Sequence, residues 1–149
     1  MTTAPRFLRS LPADARDRLM ELAREVSFPQ DAEIFREGGR AAGFWIIRSG
    51  AVTLDLRVAD RRRAAVATLG PGDLLGWSWL FPPYQWDFGA EALSPVRTYA
   101  FDGAQVRSMC EEDPALGLVM MRTVAEILAH RLQAARTRLL ELSPYTFTA

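Results

Sequence analysis

One cysteine, one histidine and no net charge mark this chain of 149 residues, in which 18 basic and 18 acidic side chains cancel. The lone Cys110 excludes an intramolecular disulfide and a zinc site built from several thiolates of one chain. The lone His130 excludes a metal centre that needs several imidazoles converging with a carboxylate. A balanced charge removes any global attraction to nucleic acid, to an anionic membrane or to a polyanionic substrate. No apolar run approaches the length of a membrane span, and the N-terminus lacks the apolar core of a secretory signal. The expectation is therefore no membrane partner and residence in the cytoplasm, which a lone cysteine also suits.

What is present describes a globular protein, with 49% apolar and 24% charged residues. The length predicts a single domain, 1–149, with room for a real core. Met1–Pro5 reads as a lead-in. Ser10-Leu11-Pro12-Ala13-Asp14 has the form of a helix start, and Leu19, Leu22, Ala23 and Val26 follow at helical spacing. A short N-terminal helix within about 7–25 is predicted.

Between residues 28 and 101 the pattern changes to short apolar runs: 32–36, 44–48, 52–58, 64–69 and 96–101. Turn clusters such as Glu37-Gly38-Gly39, Ser49-Gly50 and Gly70-Pro71-Gly72 separate them. Short strands at such spacing predict an antiparallel sandwich or barrel. Asp60-Arg61-Arg62-Arg63 lies between two strands and reads as a solvated hairpin tip, because it lacks the aromatic interleaving of a nucleic-acid site.

The last part, 102–143, is helical. A short helix from Asp102 to Glu111 precedes Asp113-Pro114, an N-cap followed by proline at the first helical position. Leu118, Met121, Ala125, Leu128, Leu132, Ala135, Leu139 and Leu142 then alternate spacings of three and four, a seam that predicts a homodimer. Val124 and Ile127 lie beside it and are expected to face the β body. Pro144 is expected to end the helix.

The most informative segment is Gly72–Ala90. It holds three of the four tryptophans, a Pro-Pro pair and glycines 72, 76 and 89. Glycines let a backbone approach a ligand, whereas large aromatics usually belong to a core or an interface.

Ile34-Phe35-Arg36-Glu37-Gly38, the run Phe44 to Val52, Leu69-Gly70-Pro71-Gly72-Asp73-Leu74-Leu75-Gly76 and Arg131-Leu132 together resemble the sensor half of the cAMP receptor protein (Crp/Fnr-like) family. The resemblance covers roughly Phe7 to Leu142. It implies an α+β, mainly β fold: an antiparallel β-roll of jelly-roll or cupin-like kind, with a short N-terminal and a long C-terminal helix. Family members that bind cyclic nucleotides carry a phosphate-binding cassette after the Gly-Asp/Glu-x-x-Gly turn. There a Glu next to the second glycine holds the ribose, and an Arg eleven residues on pairs with the cyclic phosphate. This chain keeps Gly76 but has Trp77 at the Glu position and Asp87 at the Arg position, with no Arg or Lys between Gly76 and Ala90. A buried phosphodiester needs a forked cation and free amides, and an Asp would repel it. cAMP or cGMP binding in the usual mode is not expected. The family's DNA-binding regulators carry a helix-turn-helix after the long helix; this chain ends at Ala149, so no DNA binding by this chain alone is expected.

Enzyme readings fare poorly. His130 sits on a predicted helix, and Cys110 has Glu111, Glu112 and Asp113 beside it, which raise a thiol pKa. Ser78 has no histidine base in the β region. No enzymatic activity, metal or cofactor is expected. Gly76, Trp77, Ser78, Trp79, Leu80, Tyr84, Gln85, Trp86, Asp87, Phe88, Gly89 and Ala90 are the candidate site, as the cassette's counterpart. Three readings stay open. The aromatics wall a remodelled pocket for a neutral or cationic ligand, with Gln85, Asp87 and Glu91 as polar anchors. Or they fill the old pocket and leave a dimerising interaction module. Or a cyclic nucleotide binds through Arg48, Arg97 or Arg122.

Overall fold

The computed structural model describes residues 6–58 and 62–142. Eight strands form two antiparallel sheets of four. They are β1 (Arg24–Phe28), β2 (Glu33–Phe35), β3 (Gly43–Ser49), β4 (Val52–Arg57), β5 (Arg63–Leu69), β6 (Leu74–Leu75), β7 (Gly89–Ala92) and β8 (Val96–Asp102). The first sheet has the order β1-β8-β3-β6 and the second β2-β7-β4-β5. Among the described residues the helices are α1 (Phe7–Ser10), α2 (Ala13–Met20), α3 (Gly103–Glu112) and α4 (Pro114–Leu142). The turn containing Asp60 and Arg61 lies outside the described residues, as does Pro144.

The period of two along a strand divides the core in two layers. In β3, Phe44 and Ile46 point to the helices while Trp45 and Ile47 point to the second sheet; in β6, Leu74 and Leu75 part in the same way. One layer holds Phe7, Leu19, Phe44, Phe101 and Val106 with Leu116, Met120, Val124 and Ile127 of α4. The other, between the sheets, holds Ile47, Val52, Leu54, Leu69, Leu75, Ala90 and Val96. Thr98 is fully buried, and its hydroxyl donates to the Val26 carbonyl at 2.8 Å, which removes the cost of burying it.

The N-terminal helix is shorter than the spacing predicts. Two helices, 7–10 and 13–20, replace one running to about Glu25, and residues 24–28 form β1. Leu19 and Val26 do share an apolar spacing. But Val26 pairs with Thr98 of β8, and the sheet edge offers Arg24–Phe28 a full ladder that a lone helix end cannot. Pro12, not Ser10, stands at the N-cap of α2. The later boundaries fall close to expectation. Asp102 caps α3 by accepting from the Gln105 N–H at 3.0 Å, and Asp113 accepts from the Leu116 N–H at the start of α4 at 3.2 Å.

Candidate functional site

The segment from β6 to β7 sends its two best-packed tryptophans in opposite directions. Trp79, in a 3-10 turn over Ser78–Leu80, enters the helix-side core and stacks on Phe44 with ring centroids 4.5 Å apart. Its indole N–H donates to the Gly76 carbonyl at 3.3 Å. Trp86 turns toward the second sheet and stacks on Phe35 at 3.9 Å, with Trp45 at 6.0 Å beyond. Gly76 makes room for it. At φ +96° a Cβ there would lie 2.9 Å from the far edge of the Trp86 ring. The glycine that the family pattern retains is here the seat of an indole.

Little space remains. The void bounded by Phe35, Leu54, Gly76, Trp77 and Trp86, with Ser78, Asp87, Phe88 and Arg131 at its rim, measures about 10 Å³. That is room for about one water, against the roughly 300–1,000 Å³ of a small-molecule site. Six of the twelve candidate residues therefore border it: Gly76, Trp77, Ser78, Trp86, Asp87 and Phe88. Trp79 and Leu80 belong to the helix-side core, Gln85 is exposed, and Gly89 and Ala90 are built into β7. Tyr84, at φ +54°, lies under the Arg107 guanidinium of α3, 4.5 Å from ring centroid to carbon. Asp87 is exposed and accepts from the Ser78 hydroxyl at 3.3 Å, so the inward-facing residue is its neighbour Trp86.

Arg131 is the cation at this void. It reaches down from α4 and donates to the Leu74 carbonyl. Burial pulls its pKa below the ordinary arginine value, and Asp73 pulls it back. Arg48, Arg97 and Arg122 lie elsewhere. Arg48 pairs with Glu25 at 3.1 Å and covers the Tyr99 ring, while Arg97 and Arg122 are exposed on β8 and α4. Glu91 stands on β7 with Arg63 at 4.0 Å. Sequence reasoning used Arg131 only as a family marker. It missed Arg107, which donates to the Trp79 carbonyl and ties the segment to α3. Neither arginine lies near the cassette in sequence, so spacing carried no signal for them.

Cys110 is half-buried; burial first, then Asp113 and Glu111, push its thiol pKa up, away from the nucleophilic form. On α4 the two apolar stripes have different fates. Leu116, Met120, Val124 and Ile127 are buried, whereas Leu118, Met121, Ala125, Leu132, Ala135 and Leu139 are exposed and Leu128 is half-buried. Among the described residues, no helix is long and apolar enough to cross a membrane.

A β-roll closed by a long helix, with a glycine turn leading into a cassette, defines a regulatory cyclic-nucleotide-binding architecture. The sequence profile of the cyclic nucleotide-binding domain matches residues 25–113, and the chain belongs to that family. It is 28% identical over 124 residues to a CRP-like cAMP-activated global transcriptional regulator of Mycobacterium tuberculosis, covering 83% of this chain and 54% of that one. The chain thus spans about half the length of the curated relatives it matches. A cyclic nucleotide-binding protein of Geobacter metallireducens superimposes with TM-score 0.75 at 31% identity, covering 88% of this chain and 99% of that one. A cyclic nucleotide-binding domain from Methylobacillus flagellatus gives TM-score 0.82 at 14% identity, covering 95% and 83%. The Thermus thermophilus catabolite activator protein gives 0.73 at 23%, covering 89% and 61%. These last two show the fold alone.

Proposed function

We propose that this chain is a non-enzymatic, cytoplasmic regulatory module, folded as one domain, that does not bind cAMP or cGMP in the family's usual mode and works by self-association through α4. The observation that carries this reading is Trp86, seated on Gly76 and stacked on Phe35, beside a remaining void of about 10 Å³. The two chemical requirements of a cyclic phosphodiester are also absent from the segment: Trp77 stands for the ribose acid, and Asp87 for the arginine. Arg131 borders the void with one nitrogen of its guanidinium committed to the Leu74 carbonyl.

Self-association draws on the exposed half of α4. Leu132 and Leu139 are 72% and 70% exposed, and Leu118, Met121 and Leu142 extend the same apolar seam at the surface. Their heptad spacing suits a parallel or antiparallel pairing with the same helix of a second copy.

Two measurements test the reading. Calorimetric titration with cAMP and with cGMP is expected to show no binding; micromolar affinity for either overturns the first half. Sedimentation is expected to give twice the 16.7 kDa chain mass, falling to one chain in a Leu132→Glu/Leu139→Glu variant. A chain already monomeric before substitution overturns the second half.

A further inference from the structure

Away from the closed cassette, a cleft of about 490 Å³ opens between the N-terminal helices and the Gly70–Gly72 turn. It is lined by Arg6, Arg9 and Arg16 together with Leu8, Ile46, Pro71 and Gly72. Among the described residues no carboxylate lines it. In a chain whose charges cancel overall, three guanidinium groups gathered without an acid are a local excess. We infer that this cleft is a binding site for a small phosphorylated molecule, a phosphate monoester or diphosphate, separate from the cassette.

Four observations carry the inference. First, among the described residues none of the three arginines makes an ion pair; the pairs found involve Arg18, Arg36, Arg48 and Arg63. The lead-in before Arg6 is Met-Thr-Thr-Ala-Pro, which holds no acidic side chain. Second, Asp73, next to Gly72 in the chain, has one carboxylate oxygen engaged by the Gly70 N–H at 2.8 Å. Asp14 and Asp17 of α2 do not line the cleft.

Third, the arginines are laid into the cleft. Arg6 is half-buried and lies across Gly72, where a Cβ would be 2.6 Å from both its Cδ and its Nη1. Arg16, also half-buried, touches the Leu8 carbonyl at 3.5 Å through one nitrogen, leaving the rest of its donor fork free. The Gly72 N–H itself donates to the Ile47 carbonyl, so the guanidinium groups would make the recognition. Forked donors match phosphate oxygens in pairs, and like charges held together gain most from a multivalent anion. Fourth, the volume lies in the range of small-molecule sites, and the apolar wall accommodates a short carbon portion beside the phosphate.

The place in the fold gives such a site a consequence. The Gly70–Gly72 turn leads into β6, whose Leu74 carbonyl accepts from Arg131 of α4. An anion clamped between α1, α2 and that turn would act two residues from the contact that seats the long helix. The inference does not rest on how the cassette or α4 behaves.

Inorganic pyrophosphate is the probe, titrated calorimetrically into the full chain at physiological ionic strength, beside vesicles containing phosphatidic acid in a co-sedimentation arm. Saturable pyrophosphate binding is expected. It should weaken about tenfold or more in Arg9→Gln/Arg16→Gln, the loss of one or two charge-assisted hydrogen bonds. Arg9→Gln alone, at an exposed position, should weaken it without lowering the thermal midpoint. Arg57→Gln, on a distant strand, should leave it unchanged. Binding to the vesicles alone, with the same dependence on Arg9, assigns the phosphate to a lipid headgroup. Binding of neither probe overturns the inference, as does equal loss in Arg57→Gln.

Discussion

The cassette and the outer face of α4 both carry large apolar side chains, and the fold treats them in contrary ways. In the cassette Trp79 and Trp86 are 0% and 6% exposed, and each is stacked on a ring of the roll. On the outer face of α4, Leu132, Leu139 and Leu142 are 70% exposed or more. Both tryptophans of the cassette segment are spent on packing, while the long helix keeps part of its apolar surface uncovered. The difference shows where apolar surface is left: none at Trp79 and little at Trp86, much more on the outer face of α4.

The comparison breaks most visibly if Trp86 is not core. Trp86→Ala is expected to lose about 3–5 kcal/mol of unfolding free energy in urea, as buried aromatic deletions do. Leu139→Ala, measured at concentrations dilute enough to keep the chain monomeric, should stay within about 0.5 kcal/mol. Similar costs for the two would erase the contrast. The Trp86→Ala cavity also sharpens it, because a ligand that binds only this variant would show that the indole alone closes the site.

A smaller effect is expected at the seat of the indole. Gly76→Ala places a methyl against the Trp86 ring at a positive φ and should cost about 1–3 kcal/mol by the same measurement. A neutral result would mean that Trp86 moves aside easily. Next, Arg107→Met removes a hydrogen bond to the Trp79 carbonyl and a cation–π contact with Tyr84. The expected loss is about 1–2 kcal/mol, with faster amide exchange confined to the 78–86 segment.

The smallest effect concerns the root of α4. Asp113 has its carboxyl pKa held below the ordinary 3.8, first by the Leu116 N–H and then by Arg18. A depressed folded-state pKa means that the stabilisation is complete above the unfolded value and is lost as pH falls through the folded one. Asp113→Asn keeps a capping oxygen but removes the charge. It should lower stability at neutral pH and leave it unchanged in strong acid, so that the profile flattens below about pH 4. An acid limb identical to that of the native chain would show that Asp113 contributes nothing there.

Much of the fold was legible because period and punctuation are local. Five of the eight strands, both C-terminal helices and their acidic caps follow from runs of alternating residues and from Asp102 and Asp113. Three strands were not legible, for physical reasons that differ. Arg24–Phe28 continues a helical spacing and becomes a strand only because β8 offers it an edge. Leu74–Leu75 is too short to show a period, and Gly89–Ala92 lacks the β-branched and aromatic residues that signal a strand. In the candidate site, the departure from the family's cassette pattern was legible from Trp77, Asp87 and the absence of any Arg or Lys between Gly76 and Ala90. The route of each aromatic was not.

The sequence by itself determined the inventory of side chains: one histidine, one cysteine, and no Arg or Lys between Gly76 and Ala90. It also determined that α4 carries two apolar stripes, because a heptad spacing is a property of the chain alone. Only the tertiary structure decided which stripe the body buries and which of three tryptophans fills the roll. Trp79 and Trp86 are seven residues apart in one irregular segment, and no periodicity distinguishes them. Their directions are set by what stands opposite, Phe44 on one side and Phe35 with Gly76 on the other. The placing of Arg6, Arg9 and Arg16 beside Gly72 was likewise invisible until the N-terminal helices folded onto the turn, because a contact across 56 to 66 residues is created by packing and not by spacing.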